Sequence, residues 1–569
     1  MSGSPDTDQL VLAHYARANA LFDSGRLDEA VGGYRAALEL DPRHRPSLNN
    51  LALALNQCQD FCESETMSRR SLAIDPDDAE AHAYLGQSLH GLGRLQEALR
   101  CADAALSRRP DFAQAHNARG SYLAELQDPD AALAAFDEAL RLAPGFVAAW
   151  FNRAAVLEKL GRGQEARSSY QRVLELTSLA PQSAPVLTDR GNALLQLDRW
   201  EEALESYERA IRLDPRYAPI YANRGTVLRY LGRLEEAADS YGRAIELNFD
   251  VPLARMGRAH TRLLAGRLEE AWSDFESRWQ AFGLRSGLPP ELEAIPLWLG
   301  AEPLAGRTIL LYGEQGLGDM IQFCRYARLV SERGARVLLQ VPASLSELFG
   351  SLAGVDAVVP AGKVGEPIDL RCPLMSLALA FGTTLATIPS PGRYLHSEPD
   401  ARARWRRRIG AGARPRVGLA WSGRAAHKLD RHRSIALELL AQCLPAGPRY
   451  YVLQNDIRAQ DRAALVRWPA VSDLSREVSG FKETAAAIEQ LDLVVSVDTS
   501  IAHLSGALGK PTWLLLPFAP DSRWLLGRTD SPWYASMTLF RQRTPGDWRG
   551  VLDQVAAQLR TWQSPGAAP

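Results

Sequence analysis

Apolar and polar positions in the first half of the chain recur with a period of 34 residues. Turn segments begin at Gly25, Gln59, Gly93, Gln127, Gly161, Asp198, Gly232 and Gly266, and one step is 37 residues long, the extra three lying near Ser178–Pro185. Four of these turns read Gly-Arg-Leu, then an acidic or amide residue, Glu and Ala (Gly25–Ala30, Gly93–Ala98, Gly232–Ala237, Gly266–Ala271). Prolines at 42, 76, 110, 144, 181 and 215 mark a second register, with Phe249 where the next would fall. Proline cannot continue a helix, so each unit reads as two amphipathic helices, the first ending at the Gly-Arg turn and the second at the proline stop. Ala132, Ala166, Ala203 and Ala237 share one position, where paired helices approach closely. Phe136, Tyr170, Tyr207 and Tyr241, four residues on, supply the side chains that fill the gap between units.

This period and this alternation of small and aromatic residues resemble the tetratricopeptide repeat, with Trp150 and Tyr221 at its first aromatic site. The pattern predicts an all-α solenoid of about eight units over residues 8–283, the second unit (46–79) diverging with Ser64 and Ser68 at the alanine and aromatic positions. A solenoid of this kind presents a concave surface, which implies a protein or peptide partner. Asn50, Asn152 and Asn223 stand at the sixth position of their units, on the first helix. Amides in register there read either as hydrogen-bonding groups for an extended peptide or as solvated polar residues of an inner face.

The period changes after Gln280. A Pro- and Gly-containing stretch, 284–305, reads as a linker, part of it packed through Trp298. Short apolar strands separated by helical segments follow: Thr308–Tyr312, Val337–Val341, Ala357–Val359, Val417–Trp421, Tyr450–Leu453, Leu493–Val497 and Thr512–Leu516. Such alternation predicts parallel sheets covered on both faces. Two lobes are expected, 306–400 and 401–565, divided near Ala401–Arg416, which holds seven arginines. That run reads as a basic surface helix leading into a hinge, with an RNA patch as the alternative. The fold class is therefore α + α/β: a solenoid, then two doubly wound, Rossmann-like lobes.

In doubly wound sheets ligands bind at the carboxyl ends of strands, and three loops there carry chemistry. The first, Gly313-Glu314-Gln315-Gly316-Leu317-Gly318-Asp319, opens a helix. Its glycines Gly313, Gly316 and Gly318 allow backbone to approach a ligand. The order differs from the dinucleotide fingerprint, and Gln340-Val341-Pro342 at the next strand end lacks the acidic residue a ribose requires, which disfavours NAD. Asp319 reads as a helix cap or as a general base. The second loop holds Ser422, Gly423, Arg424, His427, Lys428, Arg431, His432 and Arg433, a set suited to a phosphate or diphosphate or, alternatively, a solvated charge run. The third begins Asp498-Thr499-Ser500-Ile501-Ala502-His503 and continues to Ala507-Leu508-Gly509-Lys510-Pro511; it enters a helix whose first-turn N–H groups suit an anion.

Residues 306–565 resemble the glycosyltransferase family of the bacterial heptosyltransferases, in which a D-[ST]-x-x-x-H-x-x-[AG]-A-L-G-x-P motif follows a late strand of the second lobe. The resemblance implies a two-lobed GT-B fold, with the acceptor in the first lobe, a nucleotide-sugar in the second and no metal or other cofactor. By position it implies Asp319 as the base that activates the acceptor hydroxyl, giving inversion. Ser422, Gly423, Arg424 and Lys428, with Asp498, Thr499, Ser500 and His503, would bind the donor diphosphate, assisted by Arg431 and Arg433. Tetratricopeptide repeats joined to a GT-B half also resemble the O-linked N-acetylglucosamine transferases, whose solenoid presents protein substrates. Glu314-Gln315-Gly316 departs from the serines usual in the heptosyltransferase loop, so donor and acceptor do not transfer. The alternative is a non-catalytic scaffold with a degenerate second half.

Composition narrows the rest. With 569 residues, 46% hydrophobic and 23% charged, the chain has the balance of a multidomain globular protein. A formal charge of −2 from 65 basic and 67 acidic residues provides no electrostatic footprint for nucleic acid. The six cysteines form no CxxC pair, and Cys58 and Cys62, four apart, would share a helix face without a second ligand pair. No signal-like or membrane-spanning apolar run occurs, so a cytoplasmic location is expected.

Overall fold

The computed structural model describes residues 5–284, 287–360, 365–410, 412, 414–424 and 430–562. The chain divides into two compact units between Ser206 and Tyr207. Eight helix pairs follow one another from Pro5–Asp23 with Leu27–Leu40 to Val251–Leu264 with Leu268–Phe275. All eight turn positions named above adopt the left-handed conformation, with φ of 76°, 74°, 73°, 75° and 80° at the glycines and 64°, 65° and 62° at Gln59, Gln127 and Asp198. An L side chain there costs roughly 1–2 kcal/mol, which explains why glycine occupies five of the eight. Each turn closes with the bond pattern of a Schellman motif; Arg26 N–H, for instance, donates to Leu21 C=O at 2.9 Å. The arginine after most turns forks onto the glutamate three residues on, as Arg162 does to Glu165. These exposed pairs contribute little to stability.

The alanines and aromatics of the repeat are buried where the pattern places them. In the second unit, Ser64 compensates its missing methyl contacts by donating to Ala52 C=O at 2.8 Å and receiving Ser88 at 2.8 Å. The three extra residues of the fifth unit lengthen its second helix, Gly163–Leu179, by nearly one turn. Cys58 ends one helix and Cys62 lies in the next, across the turn at Gln59, so they do not share a helix face as expected.

The second compact unit contains the last repeats and two wholly parallel sheets. Strands β1 (Thr308–Tyr312), β2 (Arg336–Gln340), β3 (Ala357–Val359) and β4 (Leu370–Pro373) form the first, ordered β3-β2-β1-β4. Strands β5 (Arg416–Ala420), β6 (Arg449–Val452), β7 (Val471–Asp473), β8 (Leu493–Val497), β9 (Thr512–Leu516) and β10 (Met537–Arg541) form the second, ordered β10-β9-β8-β5-β6-β7. In that order the chain reverses its direction of growth between β1 and β4 in the first sheet and between β5 and β8 in the second. Those reversals are the crevices where such sheets bind ligands. Register places Leu310 opposite Leu338 and Arg371, and Val417 opposite Tyr450 and Leu493.

The expected linker is partly structured. Trp298 is 0% exposed; its N–H donates to Arg371 C=O at 2.8 Å and its indole to Glu302 C=O at 2.9 Å, and Leu297 bridges alongside β4. One apolar core runs from Met256, Trp272 and Phe275 of the eighth repeat through Ile309 and Leu339 to Leu504 and Trp524. That continuity explains why the last repeats belong to the sheet-containing unit. The arginine-rich segment forms the helix Pro399–Ile409, whose Trp405 is buried and whose Arg404 and Arg408 pair with Glu483 and Glu477. With both arginines neutralised by acids of the same lobe, the RNA-patch alternative loses support. Among the described residues, no helix is long and apolar enough to cross a membrane.

Candidate functional site

The loop after β1 and the loop after β8 meet. Gly318, in the helix Leu317–Phe323, lies against His503 in the helix Ser500–Ala507. Asp319 does cap its helix, accepting the Gly316 N–H at 3.1 Å through Oδ2. Its Oδ1 accepts Arg523 Nη2 at 2.7 Å. Arg523, which sequence reasoning missed, is the centre of the site. It donates to Gln322 Oε1 at 2.8 Å and to Asp521 Oδ1 at 2.8 Å, and its Nη1 stands 3.3 Å from His503 Nε2. Arginine only donates, so His503 Nε2 carries a lone pair, and Nδ1 donates to the Tyr534 hydroxyl at 2.9 Å. Burial, reinforced by the facing Arg523, holds the His503 imidazole well below its ordinary value, so the ring is neutral and stacks on Trp524. Asp498 lies beneath, 3.8 Å from His503, its carboxyl pushed up to about 6 by burial against the pull of Arg523.

The three loop glycines serve packing. None has positive φ. A Cβ on Gly313 would meet Met320 Sδ at 2.6 Å, on Gly316 Asp319 Oδ2 at 3.0 Å, and on Gly318 His503 Cδ2 at 2.9 Å. Their absence of side chains therefore lets the loop close on its own helix and on the second lobe, a reason different from the ligand approach expected of them. Gly318→Ala should destabilise the protein by about 1–3 kcal/mol, since His503 is held by Trp524 and Tyr534 and cannot retreat; equilibrium unfolding of the variant checks this.

The loops after β5 and β8 flank the second reversal. Ser422 is buried, its N–H bound to Gln454 Oε1 at 3.2 Å and its hydroxyl receiving Gln454 Nε2 at 3.0 Å. Gly423 donates its N–H to Ser434 Oγ at 3.1 Å, and a Cβ there would collide with Arg433. Arg433 Nη1 reaches across to Asp498 C=O at 3.0 Å, joining the two loops. Thr499 is the N-cap of the helix Ser500–Ala507 yet makes no capping bond with its side chain, leaving the first-turn amides beside half-buried Ser500 uncapped by it. Arg424 is exposed, and Arg431 donates to His432 at 3.1 Å. His427 and Lys428 lie outside the described residues.

In the array, the asparagines form ladders between successive repeats. Asn50 Nδ2 donates to Asn19 Oδ1 at 2.9 Å and to Tyr15 at 3.1 Å; Asn152 Nδ2 donates to Asn117 Oδ1 at 3.1 Å and to Ser121 at 3.4 Å. Their NH2 groups thus tie neighbouring units together, in addition to any role toward a peptide. Asn223 stands half-buried at the same position. Among the described residues, no group of three or more His, Cys, Asp or Glu side chains is arranged to hold a metal ion.

These features define a tetratricopeptide array joined to a part built of parallel sheets. Family patterns of the tetratricopeptide repeat match residues 11–44, 59–111, 85–145, 146–216 and 206–238. Protein FlbA of Caulobacter vibrioides is 23% identical over 317 residues, 51% of this chain and 52% of FlbA. The Hsp70-Hsp90 organizing protein of Triticum aestivum is 28% identical over 91 residues, 16% of each chain. The chain thus spans about half the length of FlbA and a far smaller share of the wheat protein. Among solved structures, a tetratricopeptide repeat protein from Parabacteroides merdae aligns at 19% identity over 44% of this chain and 99% of its own, with a TM-score of 0.34. The APC/C hetero-tetramer Cut9–Hcn1 aligns at 18% identity over 47% and 52%, with a TM-score of 0.38.

Proposed function

We propose that the chain is a GT-B-type, metal-independent inverting glycosyltransferase whose tetratricopeptide array recruits a polypeptide acceptor. The observation that carries this reading is the convergence of Asp319, from the reversal in the first sheet, with Asp498 and His503, from the reversal in the second, around Arg523. The uncapped helix start at Ser500 and the guanidinium of Arg433 suit a donor diphosphate, supplying positive potential to the leaving group. A second reading is favoured by the engagement of both Asp319 oxygens: a scaffold whose sheet-containing part binds a nucleotide without turning it over.

Calorimetric titration of the full chain with UDP, GDP, ADP, CDP and dTDP, with and without magnesium, tests the donor site. One diphosphate is expected to bind independently of magnesium, and Arg433→Ala to weaken it about 10- to 100-fold, the value of one charged hydrogen bond. Absence of binding by all five removes the donor site. Binding of one without sugar transfer from its nucleotide-sugars leaves the scaffold reading.

A further inference from the structure

A mainly apolar pocket of about 120 Å3, with Asp521, Ser522 and Arg523 along one side, opens beside the site, within the second compact unit. Trp272 and Phe275 of the eighth repeat form one wall, and Phe323 and Trp533 belong to the others. The Trp272 indole N–H is spent on Thr383 C=O at 2.7 Å, so it presents only ring surface. His260 lines the pocket as a neutral ring, burial and then Arg229 bringing its imidazole down to about 4.

One group in this lining is out of place. Gln322 is 1% exposed, and its Nε2 has no hydrogen-bond partner. Arg523 fixes the orientation of that amide by donating to Oε1 at 2.8 Å, so Nε2 is held as a donor beside apolar walls. An unmet buried donor costs about 1–3 kcal/mol, which an acceptor atom recovers once a guest parts the lining that covers Nε2.

We infer that this pocket takes the ring of a phenylalanine or tyrosine residue of a bound polypeptide, with a backbone carbonyl of that residue accepting from Gln322 Nε2. The size is of the right order for one ring: a closed cavity of about 150 Å3 accommodates benzene, and this pocket of about 120 Å3 has an open mouth, whereas a nucleotide or hexose needs more room. Aromatic walls favour an aromatic guest through offset and edge contacts. A polypeptide source follows from the walls themselves, since both helices of the eighth repeat contribute to the pocket and repeats of this class bind protein partners. Gln322 and Asp319 lie one helical turn apart and share Arg523, so the guest residue would set its neighbours against Asp319. That last step rests on the transferase reading; the binding itself does not.

The test is binding to the full chain, without nucleotide, read by saturation-transfer NMR with N-acetylphenylalanine methylamide, N-acetylglycine methylamide and toluene. The phenylalanine probe is expected to bind at least about tenfold more tightly than the glycine probe, from burial of one ring. Gln322→Leu should weaken the phenylalanine probe about three- to tenfold and leave toluene unchanged, because one neutral hydrogen bond is lost. Gln322→Glu, which keeps an acceptor for Arg523, should do the same and guards against a misfolded leucine variant. Equal binding of the glycine probe, or toluene binding as tightly as the phenylalanine probe with no effect of either substitution, overturns the inference in favour of non-specific or non-peptide occupancy. Failure of all three probes also overturns it, while leaving the diphosphate titration to judge the transferase reading separately.

Discussion

Asp319→Asn should lower sugar transfer about 10²- to 10⁴-fold, the range for loss of a general base, and leave diphosphate binding within about threefold. The carboxylate has acceptor capacity to spare. Two oxygens offer about four acceptor directions; Gly316 N–H and Arg523 use two, so a lone pair remains for an acceptor hydroxyl. Asparagine keeps an oxygen for one of these donors and is nearly isosteric, but it cannot take a proton. Arg523 would still be held by Asp521 and Gln322, so the contact between the two loops should survive, and the thermal midpoint reports whether it does. The proposed donor site at Ser500 and Arg433 is built from other residues, so the binding titration should scarcely change. Transfer within about threefold of the unaltered protein would remove Asp319 from the chemistry and reduce it to the helix cap it also is.

The repeat was legible because a 34-residue period fixes eight copies of one turn, and left-handed φ at all eight positions is what the glycines signal. Strands β1, β3, β8 and β9 appear with the bounds read from apolar runs. The three strands that escaped notice, β4, β7 and β10, are all edge strands. Their sequences Leu-Arg-Cys-Pro, Val-Ser-Asp and Met-Thr-Leu-Phe-Arg carry polar residues because an edge is covered less completely than a centre. Arg523 was hidden for a different reason. It belongs to no periodic pattern, and its partners are between 2 and 204 residues away along the chain. One signal was available: the segment that carries Asp521 and Arg523 follows β9, the neighbour of β8, and so lies among the carboxyl-end loops where ligands bind such sheets.

Arg278→Leu should destabilise the first sheet by about 3–5 kcal/mol at pH 8, the usual cost of removing one partner of a buried ion pair, and by less at pH 5. Arg278 follows the eighth repeat directly and is 0% exposed. It donates to Glu276 Oε1 at 2.5 Å, to Ser376 Oγ at 2.7 Å and to Glu314 Oε1 at 3.0 Å, and lies against the rings of Phe275 and Trp279. Glu314 stands in the loop after β1 that carries Asp319, and Ser376 follows β4. The end of the array is thus tied by one guanidinium to both sides of the first sheet's reversal. Burial pushes the Glu314 carboxyl from 4.5 up to about 7 despite the pull of Arg278. Between those values the folded protein holds a proton that the unfolded chain has released, so stability falls as pH rises through this window. Without Arg278 the carboxyl should rise further, and the loss should steepen toward pH 8. Hydrogen exchange at the backbone amides of β1 and β4, at pH 5 and pH 8, reads the effect where it arises. Arg278→Leu combined with Glu314→Gln should recover part of the loss at pH 8 and little at pH 5, since at pH 8 the single variant must either bury an unpaired carboxylate or hold a proton that the unfolded chain has released, whereas at pH 5 neither cost is large. A cost below about 1 kcal/mol at both pH values would mean that the pair behaves as a solvent-exposed one and does not hold the array to the sheet.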